Sequence, residues 1–146
     1  MDSLRVMLNE APIFVSTDEA EKLSLIRRAF ATVGFSNPIK VLSPREAHEY
    51  FAGPGRKKAK AAGNFPLLCF IDHTAKDSGK ELMRKIRQHS LFHSLPLVFV
   101  GASEREMREA SHGTTCWQRP ANLQDWVERL MPLREILSRM EKRLAA

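Results

Sequence analysis

Apolar residues along this chain fall into short solid runs, separated by segments in which they recur at helical spacing. Pro12 to Ser16, Ile39 to Leu42, Pro66 to Ile71, Leu95 to Val100 and Thr114 to Gln118 are the runs. Each is too short for a helix and lacks a 3.6-residue stripe, which predicts strands, the third of them buried on both faces. Between the runs come helix signals. Asp18 and Glu21 have capping-box spacing ahead of Leu23, Ile26, Phe30 and Val33, which share one helical face, and Gly34 ends that helix. Ser43, Pro44 and Glu46 combine an N-cap, a proline at the first helical position and a reciprocal acid, with Ala47, Tyr50 and Phe51 as the inner face. Leu82, Met83 and Ile86 mark a third helix, Ser103 with Glu106 caps a short fourth through Met107, and Asn122 caps the last. Five alternating β-α units joined by right-handed crossovers predict an α/β fold, a doubly wound, five-stranded parallel sheet.

The last helix carries a second pattern. Leu123, Trp126, Leu130, Leu133, Leu137, Met140 and Leu144 alternate spacings of three and four, the seam of a coiled coil. This predicts either a tail docked back on the domain or a homodimer through the last helix, with Trp126, Leu130, Leu133 and Leu137 at the interface. Pro132 should kink or interrupt the helix, because it lacks the amide the ladder needs. The domain is therefore expected over 10–131, with an N-terminal arm at 1–9 and a helical extension at 132–146.

Composition narrows the classes. At 146 residues the chain is one domain long, with 43% hydrophobic and 27% charged residues, as in globular proteins. No stretch approaches the ~20 apolar residues of a membrane span, and the N-terminus lacks a signal-peptide core, so a soluble cytoplasmic protein is expected. Cys69 and Cys116 lack metal-ligand or redox spacing and read as small buried fillers. The formal charge of +6 favours acidic partners or nucleic acid. Its one dense run, Arg56 to Lys60, lies in a Gly/Pro/Ala loop from Ala52 to Asn64 without aromatics to stack on bases, which reads as a solvated loop.

Candidate chemistry centres on Asp72. The third run delivers this carboxylate to a strand's carboxyl end, where open α/β sheets bind ligands. Its neighbour His73 should point to the opposite face, so the two do not form a dyad. The other histidines lack zinc spacing, and Gly53-Pro54-Gly55-Arg56 follows a helix without P-loop spacing, which disfavours a nucleotide-binding enzyme.

Five β-α units, a strand ending in Asp72 and a strand ending in Arg119-Pro120 together resemble the CheY-like receiver domain of bacterial two-component response regulators. The resemblance covers about Pro12 to Met131. It is closest to single-domain receivers that partner phytochromes, through IRRAF, the long loop before the third strand, RQHSLFHSLP and RPANL. It implies a flavodoxin-like fold and a histidine kinase or other signalling protein as partner; composition adds that no membrane is expected and that nucleic acid is a disfavoured partner. The family's catalytic pattern is an acidic pair, a phosphoacceptor Asp, a Thr or Ser, and a Lys-Pro. Here Thr17 and Asp18 take the acidic pair, Asp72 the phosphoacceptor position, Gly101 the hydroxyl position and Arg119 the lysine position. Asp18 and Asp72 are then the metal ligands of a weak Mg2+ site, with no cofactor otherwise implied. Arg keeps the lysine's charge but changes its reach, and Gly101 has no hydroxyl to give. The expectation is a degenerate receiver rather than an enzyme, working mainly through protein–protein contacts. The alternatives are a working phosphoacceptor phosphorylated on Asp72 by a histidine kinase, and a basic nucleic-acid-binding module.

Overall fold

The computed structural model describes residues 10–52, 66–89, 92–109 and 114–145. The N-terminal arm at 1–9 and the basic run Arg56 to Lys60 lie outside them, as do the side chains of the last seam positions, Met140 and Leu144. The strands are β1 (Ile13–Thr17), β2 (Ile39–Leu42), β3 (Leu68–Asp72), β4 (Leu97–Val100) and β5 (Thr114–Trp117). Alternating with them are helices α1 (Leu23–Val33), α2 (Pro44–Ala52), α3 (Lys76–Gln88), α4 (Glu104–Arg108) and α5 (Leu123–Ala145). All strand pairs are parallel, in the order β2-β1-β3-β4-β5. The order reverses between β1 and β3, so the crevice such sheets use for ligands opens there, where Thr17 lies opposite Asp72.

The chain forms two compact units. The first spans residues 12–19 and 39–119 and holds the whole sheet with α2, α3 and α4. Its core follows the two-residue period of the strands. Phe14, Cys69, Ile71, Leu97 and Phe99 share a cluster with Ala47 and Phe51 of α2, Leu82 and Ile86 of α3, and Phe92. Phe14, Phe51 and Phe92 are joined by half-buried Tyr50 in edge-on and tilted ring contacts, and burying each Phe contributes roughly 1.5–3 kcal/mol. The alternate residues Val15, Phe70 and Val98 are buried as well, so these strands are covered on both faces. At Gly79 a Cβ would come within 2.9 Å of Phe99 and 3.3 Å of Ile71, so only glycine lets α3 approach β3 and β4 this closely.

Local signals in the sequence set most boundaries. Ser43 and Glu46 form the reciprocal cap of α2, at 3.1 and 2.9 Å. Ser103 and Glu106 do the same for α4. Glu106 also forms ion pairs with Lys76 at 3.3 Å and Lys80 at 3.0 Å, tying α4 to α3. One cap differs from expectation. Asp18 does not cap α1, which follows a 3-10 turn at Ala20–Lys22 and has Lys22 at its N-cap without a side-chain bond. The Asp18 carboxylate is engaged elsewhere, with Thr74.

The second unit holds α1 and α5. Gly34, at φ 96°, closes α1 by donating to Phe30 and Ala31, a conformation glycine adopts without a Cβ penalty. Asn122 accepts from the Asp125 amide at 2.9 Å and so caps α5, as its position suggests. The structure narrows two expectations about α5. Pro132 does not interrupt it: the helix runs from Leu123 to Ala145, across the expected boundary at 131/132. Pro132 is exposed, and the carbonyl it leaves without a helical donor belongs to Glu128, itself exposed, where water can serve instead. The seam is the second: of its two alternatives, burial favours the tail packed within its own chain. Trp126, Leu130 and Leu137 are buried within the single chain, in the unit where α5 packs along α1, and Leu133 is half-buried. They are core residues, so a dimer could use them only by unpacking that core.

If Leu130 is core, Leu130→Ala should lower unfolding stability by about 2–5 kcal/mol. Sedimentation of the two proteins at equal concentration should then give the same oligomeric state.

Candidate functional site

Four strand ends of the first unit converge on Asp72. Its β3 carboxylate is 2% exposed, and Arg119, two residues past β5, forms an ion pair with it, Nη2 lying 2.8 Å from Oδ1. The same guanidinium reaches Glu19 after β1, Nη1 lying 3.5 Å from Oε1. One positive group therefore spans two carboxylates.

Gly101 makes room for it. The residue follows β4 at φ 89°, and its amide and that of Ala102 both donate to the Trp117 carbonyl at 2.9 Å. A Cβ at 101 would sit 3.1 Å from Arg119 Nη2. Any side chain there would be strained by the positive φ and would also crowd the guanidinium. The two departures at 101 and 119 thus form one fitted pair rather than two independent losses.

The remaining acid is also engaged. Thr74 donates its hydroxyl to Asp18 Oδ1 at 2.8 Å and its amide to both carboxylate oxygens, at 3.1 and 3.2 Å. Glu19 Oε1 lies 3.3 Å from the same hydroxyl, which has a single proton and gives it to the nearer oxygen. Partial burial pushes Asp18 up, but the Thr74 bonds outweigh it and hold the carboxyl below its ordinary value. Thr17 is turned to local use, its hydroxyl accepting from the Glu19 amide at 3.1 Å.

Magnesium asks for near-octahedral oxygen ligands and binds through free carboxylates. Asp72 and Glu19 face a guanidinium, Asp18 is held by Thr74, and among the described residues no three His, Cys, Asp or Glu side chains converge as a metal site. The residues present do not fit Mg2+. The expected Asp18 and Asp72 site is not assembled.

On the other side of β3 lies a polar chain with little signal in the residue pattern. His73 is 4% exposed, with Nε2 2.6 Å from Ser16 Oγ and Nδ1 3.0 Å from Ser78 Oγ. Ser78 Oγ lies 3.3 Å from His48 Nε2, and His48 Nδ1 lies 3.1 Å from Lys85 Nζ. A lysine ammonium only donates, so His48 accepts at Nδ1 and donates from Nε2 to Ser78. Ser78 then donates to His73 Nδ1, and His73 donates from Nε2 to Ser16. Every bond is satisfied with His73 neutral. Burial and the nearby His48 lower its pKa to about 4, against a weaker upward pull from Asp18. His73 and Asp72 face opposite ways, as strand alternation requires, and the two histidine nitrogens are occupied by serines. Period-two spacing from Cys69 and Ile71 was the available signal that His73 points toward α2 and α3.

No family model matches the chain, and no curated protein matches it. Solved structures do. A response regulator in red-light signalling of R. palustris superposes with a TM-score of 0.66 and 20% identity, over 84% of this chain and 90% of its own. A cyanobacterial phytochrome response regulator, solved phosphorylated, gives 0.66 and 19%, over 88% and 94%. A response regulator receiver domain from Rhodospirillum rubrum gives 0.66 and 17%, over 88% and 94%. The chain thus has the CheY-like receiver fold, five parallel strands in one sheet with five helices. No helix among the described residues is long and apolar enough to cross a membrane.

The polar chain makes stability depend on pH. His73 has a folded pKa of about 4 against an ordinary 6.5, so between these values the unfolded state binds more protons. Stability should be lost as pH falls through that window, by about 3 kcal/mol at most. Denaturant unfolding across it should show this slope in the wild type and a flatter one in His73→Gln.

Proposed function

We propose that this chain is an atypical receiver of a two-component system, which signals by binding a histidine kinase or another signalling protein. On this reading it is cytoplasmic, is not an enzyme, and does not use Asp72 as a phosphorylation switch. The observation that carries it is the Arg119 guanidinium held 2.8 Å from the buried Asp72 carboxylate, over a glycine that leaves it room.

Phosphoryl transfer to a carboxylate depends on positioning and on charges that neutralise the phosphoryl oxygens. Here the acceptor oxygen is already engaged by Arg119, and the neighbouring acids are bound to protein groups. Donors aimed at developing charge contribute ~3 kcal/mol each, so losing the hydroxyl at 101 and the metal ligand at 17 slows transfer by about four orders of magnitude if the losses add. Gly101 also removes the contact by which a phosphoryl group would favour one loop conformation over another. A modification without differential contact shifts no equilibrium. The fold's likeness to response regulators supports a protein partner. Nucleic acid is disfavoured because the dense basic run, Arg56 to Lys60, has no interleaved aromatics.

Mass spectrometry after incubation with acetyl phosphate and Mg2+ tests this directly. Neither the wild type nor Asp72→Ala should gain a phosphoryl group. An adduct on the wild type that is missing from Asp72→Ala would favour the rival reading, a working phosphoacceptor.

A further inference from the structure

We infer that the cleft between α3 and α4 is a binding site for a small organic anion, an apolar body carrying one carboxylate, with Arg84 as the partner of its charge. The cleft has a volume of about 470 Å³ and lies wholly within the first unit. Clefts of roughly 300–1,000 Å³ hold small-molecule ligands, over mostly apolar walls with a few placed polar groups. Here the Phe99 ring and half-buried Met83 and Cys116 form the floor. Burial, and then Glu106, push the Cys116 thiol up, so it stays neutral and adds to the apolar surface. Lys80, Arg84 and Arg87 stand along the α3 side, and Glu106 and Glu109 along the α4 side. α4 has five residues against thirteen in α3, and beside it Thr114 and Cys116 of the edge strand β5 are only half-buried.

The charges around the cleft decide what fits it. At one end Arg87 is committed, donating to the carbonyls of His93 and Leu95 at 3.0 and 2.6 Å and to Thr114 Oγ1 at 3.0 Å. At the other end Glu106 is held by the Ser103 cap and by Lys76 and Lys80. Lys80 and Arg87 are seven residues apart on one helix, about 10 Å along its axis. A cleft closed at both ends over that length suits a compact molecule rather than a helix or strand running through it. Arg84 lies between the two and is held differently. Its partner Glu81 belongs to the same helix, 3.6 Å away, and both side chains are at least half exposed. Exposed pairs of this kind contribute little, so Arg84 can turn to an entering anion without leaving a buried charge behind. Three cations line the cleft against two acids, and both acids are taken: Glu106 by its lysines and Glu109 by Arg105 at 3.0 Å. The balance favours an anion, its carboxylate toward α3 and its body over Met83 and Cys116.

Naphthoate, an apolar body with one carboxylate, is a suitable probe, and naphthamide is its neutral isostere. Each is titrated into the full chain while backbone amide and methionine methyl signals are followed. Naphthoate should give saturable shifts at Met83, Arg84 and Cys116, with a dissociation constant of about 1 mM, as expected for a ligand of this size. Naphthamide should bind at least about tenfold more weakly, because it has no charge for Arg84 to meet. Arg84→Glu should weaken naphthoate binding by at least about tenfold, and Arg84→Gln by less, with both variants keeping the wild-type melting temperature because the side chain is exposed. Glu109→Gln, which removes an acid from the opposite side, should tighten naphthoate binding and leave naphthamide binding unchanged. No saturable shift at these residues up to about ten times that constant would overturn the inference, as would saturable shifts confined to another part of the chain. So would naphthamide binding as tightly as naphthoate, or folded Arg84→Glu binding naphthoate as tightly as the wild type. Neither probe reports on phosphotransfer or on a partner protein, so these outcomes leave the proposed function to its own test.

Discussion

A carboxylate placed at the end of a buried strand must be neutralised from within the protein, and the candidate site is built around that requirement. Asp72 is nearly inaccessible, and Arg119 supplies the compensating charge from the segment after β5. Breaking a pair of this kind by removing one partner typically costs about 3–5 kcal/mol, because the other charge is left uncompensated. Arg119 is partly exposed, which moderates the figure here. The glycine after β4 and the two amides that clasp the Trp117 carbonyl hold β4 and β5 in the positions from which the guanidinium can reach across.

The next residue works in the opposite direction. Asp72 joins β3 to the ends of β1 and β5 through Glu19 and Arg119, while His73 joins it to α2 and α3 through Ser78, His48 and Lys85. Satisfied buried networks stiffen what they connect. The segment after β3 is therefore fastened on both sides and by the Thr74 bonds to Asp18. A site fastened in this way suits a module whose surface is recognised as it stands.

Much of the fold was legible because its signals are local. The solid apolar runs gave all five strands, and the Ser43 with Glu46 and Ser103 with Glu106 spacings and the cap residue Asn122 gave helix starts that the structure repeats. What was misread or left open depends on partners distant in sequence. Asp18 has good capping spacing, but Thr74 competes for its carboxylate from 56 residues away. The seam of α5 looks the same whether a second chain or α1 covers it, and Leu130 is buried by its own chain. Pro132 is tolerated because it falls on the exposed side of its helix, which spacing alone did not reveal. At the site, Asp72, Gly101 and Arg119 were each found by position. Their mutual fit was not, because a contact between residues at 101 and 119 through an absent Cβ leaves no pattern in the chain.

The central claim is that Asp72 and Arg119 are energetically one unit, and a double-mutant cycle of Asp72→Ala and Arg119→Ala measures that most directly. Unfolding free energies of the four proteins should show a coupling of about 1–3 kcal/mol, the double variant losing less than the sum of the single losses. Additive losses, with a coupling near zero, would mean that the two side chains do not act on each other and would contradict the account.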